Sequence, residues 1–360
     1  MVWKDAEVGK YIGTEFVSLR ITVNEKAYPE FSKKWGSRST PTVMILGSDG
    51  NEIDRVVGFN KDKKDPYVRN LKDLAAGRNT LAVVQAALEK NPDGVEANWN
   101  MALKYRKRGE WRKAPVYYKR VLELDPEDTK GYREECAFMV ALAEARYNDN
   151  NAPLKAFIET GTQTGFIEDA YIELTDSLDG RKDKEQIVSI YEEALAKLPE
   201  SAILTYYYAN SIINFRYEDL YDKALEMNGR LKSLDPGFEV DAYVNLIFYY
   251  RNIKDEVKLI ETMNESLQKW PENSVFKSIY TSTVVGAGIE SEYGRAAEML
   301  EAMLKTEPEA SSDWYKLAQL YEKKGELELA LEAVTKALDI RPDVKVFQTK
   351  QDKLEKELQK

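Results

Sequence analysis

The chain offers little for covalent or metal chemistry. Its 360 residues contain no histidine and one cysteine, Cys136. Without histidine there is no Ser-His-Asp or Cys-His relay, and most transition-metal sites lose their commonest ligand. One cysteine permits no intramolecular disulfide, no CxxC motif and no cysteine-based zinc site. Cys136 lies in Cys136-Ala137-Phe138-Met139-Val140, an apolar setting that predicts a buried, unreactive thiol. The pairs Glu134-Glu135 and Glu192-Glu193 have the residue type for acid–base or metal work, but adjacent carboxylates on a helix read as a solvated face. Lys61 to Lys64 reads as a surface loop, and Asn264-Glu265-Ser266 matches a glycosylation sequon without a leader sequence to give it meaning. No glycine-rich phosphate loop is present. No catalytic residue, metal site or cofactor is expected.

Composition points the same way. Apolar content of 43% and charged content of 32% describe an ordinary chain with a rich polar surface. No apolar run approaches the ~20 residues of a membrane span. The N-terminus, MVWKDAEVGKYIG, has no leader-like apolar stretch, which predicts a cytoplasmic protein, or a periplasmic or secreted one if a leader lies upstream of Met1. Residues 1–78 hold 14 Lys and Arg against 11 Asp and Glu, whereas the remainder holds 38 against 51. An acidic remainder lacks the basic stripe that displaces counterions from nucleic acid. It suits a protein or peptide partner, preferably basic or neutral, or serves solubility alone.

Residues 1–78 pattern as α-β-α-β-β-α. Asp5 to Ile12 predicts a short helix, and Phe16 to Thr22 alternates as a strand should. Asn24 is placed to cap a helix that runs to Trp35 and stops at Gly36. Thr40-Pro41-Thr42 leads into an apolar strand, Val43 to Leu46, and Ser48-Asp49-Gly50-Asn51 signals a hairpin turn. Ile53 to Phe59 is the return strand, and a helix over Asp65 to Ala76 closes the module at Gly77. This stretch resembles the thioredoxin fold. The resemblance implies a cis Pro41 and a backbone at Thr40 that pairs with extended substrate chains. It also implies a central strand and a CxxC upstream of Met1, with residues 1–4 as the tail of the following helix. Without the thiolate no thiol–disulfide exchange is possible. Either the chain is an N-terminally shortened form of a longer protein, or the module is degenerate and kept for docking.

From Asn79 onward the reading is helical, opening with a helix over Leu81 to Leu88. Pro126, Pro199, Pro236, Pro271, Pro308 and Pro342 punctuate it at intervals of 73, 37, 35, 37 and 34 residues. The clearest unit, Ser311 to Val344, places Trp314, Leu317 and Tyr321 on one helix face, turns at Gly325, and sets Ala330 and Ala337 where two helices must approach. This resembles a tetratricopeptide (TPR) unit of about 34 residues. Further units fall at 95–128, 129–167, 168–201, 202–238, 240–273 and 274–310. The unit at 129–167 diverges and ends in a loop over Gly161 to Gly165. The unit at 202–238 has about three extra residues near Phe215 to Leu220, and the unit at 274–310 has an irregular turn at Gly286-Ala287-Gly288. Lys345 to Lys360 reads as a polar capping helix. Stacked, such units bury a shared core and form a curved superhelix.

The TPR resemblance implies a concave groove lined by the second, fifth, ninth and twelfth positions of each first helix. The fifth and ninth are Trp99 and Leu103, Ile172 and Asp176, Tyr206 and Asn210, Val244 and Phe248, and Tyr315 and Gln319. Aromatic side chains there suit an extended or helical peptide, or pack between repeats. None of these pairs combines the Lys and Asn of a carboxylate clamp. Tyr206-Tyr207-Tyr208 and Phe248-Tyr249-Tyr250 point several ways round their helices and read as inter-repeat packing. The expectation is a partial α/β thioredoxin-like module (1–78) followed by an all-α TPR solenoid of about seven repeats (79–360). Such a chain would be an interaction scaffold, free to self-associate, that binds protein or peptide rather than nucleic acid. The alternative is a truncated thioredoxin-like oxidoreductase whose repeats recruit clients.

Overall fold

The computed structural model describes residues 6–19, 21, 28–36, 39–59 and 64–359. These residues contain nineteen α-helices and two strands. In order they are α1 (Ala6–Glu15), α2 (Tyr28–Trp35), β1 (Thr42–Leu46), β2 (Glu52–Val57), α3 (Lys64–Ala75), α4 (Leu81–Lys90), α5 (Val95–Lys107), α6 (Ala114–Leu124), α7 (Arg133–Asn148), α8 (Ala152–Thr160) and α9 (Thr164–Asp176). Then come α10 (Lys184–Lys197), α11 (Ala202–Phe215), α12 (Tyr221–Leu234), α13 (Glu239–Ile253), α14 (Glu256–Lys269), α15 (Ser274–Ala287), α16 (Tyr293–Thr306), α17 (Ser311–Lys324), α18 (Leu327–Ile340) and α19 (Lys345–Leu358). The chain divides into two compact units, residues 1–179 and 180–360.

In the first unit, β1 and β2 form an antiparallel hairpin that pairs Thr42 with Val57 and Leu46 with Glu52. Its turn is the expected one, closed by the Gly47 N–H on the Asn51 carbonyl at 2.8 Å, with Gly50 at φ +76°. Val8 and Ile12 of α1, Ile45 and Val56 of the hairpin, and Tyr67, Val68, Leu71 and Leu74 of α3 make a small apolar core. The strand expected over Phe16 to Thr22 is absent from its described residues, 16–19 and 21. Val17 and Leu19 are exposed there, and β1 and β2 pair only with each other among the described residues. An extended segment with no ladder to join stays irregular. Asn24, residues 1–4 and residues 61–63 lie outside the described residues. The Thr40–Pro41 bond is cis.

The hairpin is fastened to the helices that follow by a buried charge. Asp54 is fully buried. Its carboxylate accepts from the Leu81 N–H at the start of α4 (2.9 Å), from Lys104 Nζ on α5 (3.0 Å), from the Arg55 N–H (2.7 Å) and from Arg108 Nη1. Arg108 also donates to Glu52 (2.9 Å), and Arg55 donates to Glu52 (2.7 Å) and to the Trp35 carbonyl (2.7 Å). Beside this network Gly109, at φ +71°, turns the chain between α5 and α6 directly against Val57. A Cβ there would sit 3.0 Å from the valine methyl.

The helices of both units alternate in antiparallel-style pairs joined by short turns. In the second unit α17 buries Leu317, Ala318 and Leu320, Gly325 caps it at φ +79°, and α18 returns with Ala330, Ala333, Val334, Ala337 and Leu338 inward. The small residues let the two backbones approach, as their spacing predicts. Trp314 is half-buried, and its indole N–H donates to the Pro308 carbonyl at 2.8 Å, pinning the preceding turn. The extra residues after α11 form a 3₁₀ turn, Glu218–Leu220, with Arg216 left-handed at φ +60°. Two expectations shift. The loop from Gly161 ends early because Glu134 accepts the N–H groups of Thr162 (2.5 Å) and Gln163 (2.6 Å), so α9 opens at Thr164. Gly286 and Ala287 remain helical, and only Gly288, at φ +74°, breaks α15. The last helix buries little beyond Phe347 and Leu354.

Removing one partner of a buried pair leaves the other charge uncompensated. Asp54→Ala is therefore expected to destabilise the first unit by about 3–5 kcal/mol, read as faster hydrogen exchange across β1 and β2. The network should also respond to acid. Burial raises the Glu52 pKa, but Arg55 and Arg108 more than offset this and hold the carboxyl below its usual range. Its contribution is present above the unfolded pKa of about 4.3 and is lost as pH falls through the lower folded value. Protection of the hairpin amides should fall in that acid window in wild type, and less in Glu52→Gln.

Candidate functional site

The residues singled out for chemistry are occupied structurally. Cys136 is fully buried on α7, and burial, with Glu135 and Asp128 adding to it, pushes its thiol up to about 12. Glu135 pairs with Arg106 at 2.6 Å, and Glu134 caps the start of α9. Glu192 takes Lys223 at 2.5 Å and the Tyr208 hydroxyl at 3.4 Å. No group of three or more Asp, Glu, Cys or His side chains that could hold a metal lies together among the described residues. Among the described residues no helix is long and apolar enough to cross a membrane.

The remaining surface is what the first helices of the repeats present. In the first unit Trp99, on α5, is half-buried and stacks on Tyr132 with ring centroids 4.2 Å apart and planes 4° from parallel. Its edge meets Tyr118 at 5.9 Å. Leu103 lines a recess of about 300 Å³ with Val83 and Val84 of α4, Asn100 and Lys107. Ile172 is half-buried and Asp176 exposed on α9, where partial desolvation and neighbouring Glu173 raise the Asp176 pKa.

In the second unit Tyr206, on α11, is half-buried against Phe238 at 5.7 Å and Tyr207 at 5.2 Å. Burial, with Asp241 and Tyr207 adding to it, raises its pKa. Asn210 accepts from Asn214 at 2.8 Å and donates to the buried Asn245 at 3.0 Å, which ties α11 to α13. Val244 and Phe248 of α13 pack on the main apolar core, and the Arg251 guanidinium lies 4.6 Å over the Phe248 ring. Tyr315 meets Phe347 at 4.8 Å, and Gln319 is half-buried one turn on. Each fifth-position aromatic thus reaches a ring at the start of the second helix onward: Trp99 to Tyr132 before α7, Tyr206 to Phe238 before α13, Tyr315 to Phe347 in the first turn of α19. Each ring is engaged in this packing and stays partly accessible. Thr40 is exposed, and the Pro41 carbonyl accepts the Gly58 N–H at 2.8 Å.

Sequence reasoning missed Asp54 and its partners, because a charge within an alternating strand reads as outward-facing. It also missed the polar ladder from Asn214 through Asn210 to Asn245, whose only sequence signal is a recurrence of Asn on successive first helices.

Residues 290–344 match the tetratricopeptide repeat family model. A tetratricopeptide repeat protein from Parabacteroides merdae ATCC 43184 superposes with a TM-score of 0.50 at 14% identity, over 72% of this chain and 98% of that one. The helical region has the tetratricopeptide-repeat fold. A thermophilic TPR protein of Thermus thermophilus gives a TM-score of 0.38 at 19% identity, over 52% of this chain and 98% of that one. The human IFIT1 dimer with PPP-AAAA gives 0.35 at 15% identity, over 73% and 68%. Those two likenesses add nothing to the assignment. No curated protein sequence matches the chain.

Thiol chemistry gives a direct check on the site. Buried on α7, with its thiol pushed up to about 12, Cys136 should be alkylated by iodoacetamide at pH 8 far more slowly in the native chain than in denaturant. Fast labelling of the native protein would place an accessible thiolate where none is described.

Proposed function

We propose that the chain is an interaction scaffold that docks a peptide or protein segment on the first-helix face of its repeats. Tyr206, Asn210, Val244, Phe248, Tyr315 and Gln319 would contribute in the second unit, and Trp99 and Leu103 in the first. The single observation that carries this is the half-exposure of these side chains along the first helices of a repeat fold. Rings already held on one side lose little conformational freedom on binding, which favours aromatic anchors. We further propose residues 1–78 as a thioredoxin-like module without redox activity and residues 79–360 as the repeat array. The antiparallel hairpin, its flanking helices and the cis Thr40–Pro41 bond support the resemblance. In that reading Thr40 and Pro41 give a second backbone-pairing surface. The alternative, a shortened oxidoreductase whose repeats recruit clients, rests on the same module and would need a CxxC upstream of Met1.

The test is selection of peptides from a random display library on the full chain, followed by affinity measurement with variants. Tyr206→Ala and Tyr315→Ala should each weaken a selected peptide by about 30-fold, the ~2 kcal/mol of an interface anchor, while melting temperatures verify folding. Peptides that bind both variants as tightly as wild type would remove this face from consideration.

A further inference from the structure

A second surface in unit 180–360 has a different chemistry. Arg146, Arg181, Arg216 and Arg251 follow one another at intervals of 35 residues, one per repeat length. Arg146 is neutralised by Glu173 through two hydrogen bonds of 2.8 and 2.5 Å. The other three converge on one recess of about 430 Å³ at the C-terminal ends of α11 and α13, beyond the fifth and ninth positions of those helices. No Asp or Glu lines it. Among the described residues neither Arg216 nor Arg251 forms an ion pair, although the residues after 78 carry thirteen more acidic than basic groups.

The polar neighbours sharpen the contrast. Asn214 spends one of its two amide N–H groups on Asn210, and Asn252 donates one to the Ile213 carbonyl at 2.6 Å. The donors left to face the recess are chiefly the guanidinium N–H groups of Arg216 and Arg251, each arginine carrying five in a planar fork. Arginine near a helix C-terminus offsets the helix dipole, which accounts for Arg251 and Arg216 one at a time. It does not account for Arg216 and Arg251 meeting, neither in an ion pair, around one recess that Arg181 also lines. That arrangement has a cost: burial, and then the nearby Arg216 charge, pull the Arg251 pKa down. A bound anion would relieve it.

We propose that this recess, lined by Arg181, Arg216 and Arg251, binds a phosphate monoester group. A compact dianion fits better than an extended polyanion. The positive field is local, and beyond a screening length of about 8 Å at physiological salt an acidic tract or nucleic-acid strand would meet the net-negative remainder of the array. Planar guanidinium forks match tetrahedral oxyanions through paired N–H donors. The monoester can come from a phosphorylated side chain or from a small phosphorylated molecule.

Isothermal titration of the full chain at about 0.15 M salt separates these cases. The probes are the pentapeptide Ala-Ala-phosphoSer-Ala-Ala, glycerol 3-phosphate and inorganic phosphate. At least one monoester should bind saturably and more tightly than inorganic phosphate. Its affinity should drop by about tenfold or more in R216Q/R251Q, whose side chains are exposed and whose fold is checked by circular dichroism. The exposed control pair K345Q/K356Q should leave it unchanged. Whichever monoester is tighter names the source, and either result upholds the site. Absence of saturable binding, equal binding by R216Q/R251Q, or inorganic phosphate as the tightest ligand would overturn it. Displacement by a short oligothymidylate at lower concentration than either monoester would overturn it too, by pointing to a phosphodiester chain.

Discussion

Asp54 is the constraint on which the first unit depends. A fully buried carboxylate cannot be left alone, and the strand that carries it gains its place by bringing the start of α4, Lys104 and Arg108 of the α5 end, and the Arg55 backbone to one point. Hydrophobic burial would have oriented β2 differently. Its sequence, Glu52-Ile53-Asp54-Arg55-Val56-Val57, can present either Ile53 or Asp54 inward, and the fold buries Asp54 and Val56 while leaving Ile53 40% exposed. The ion cluster sets the register because leaving Lys104, itself nearly buried, without a counterion would cost more than exposing one isoleucine. The same strand brings Val57 against Gly109, so a glycine that ends a repeat's first helix doubles as the seat for the hairpin. The hairpin and the first repeat are thereby packed within one compact unit.

Much of the helical region was legible in the sequence for simple physical reasons. Proline cannot continue a helix, and glycine alone turns left-handed without strain, so Pro308, Gly325 and Pro342 mark turns whatever surrounds them. Alternation of bulky and small apolar residues at helical spacing does the rest, as in α17 and α18. What was not legible depended on partners distant in the chain. The expected strand over Phe16 to Thr22 had the right alternation but finds no neighbour among the described residues, and alternation alone does not make a ladder. The early start of α9 depends on Glu134, some thirty residues upstream, which no local pattern around Gly161 reports.

The surface residues follow a similar division. Positions five and nine of the repeats were readable by counting. Their state was not: Trp99, Tyr206 and Tyr315 are each held by a ring at the start of the second helix onward, so each is partly packed and partly exposed. The asparagine ladder and the arginine recess were not found, because both arise from side chains one repeat apart whose spacing matters only once helices stack. A chain with no histidine and one cysteine has no imidazole and a single thiol to position, and that is read from composition alone.

The central claim is that the repeats present a binding face along their first helices. Hydrogen–deuterium exchange of the full chain, with and without a saturating display-selected peptide, tests it most directly. Slowed exchange is expected to be confined to first helices, chiefly α11, α13 and α17 or α5, with α12, α14 and α18 unchanged. Protection concentrated on those second helices, with the first helices unaffected, would contradict it.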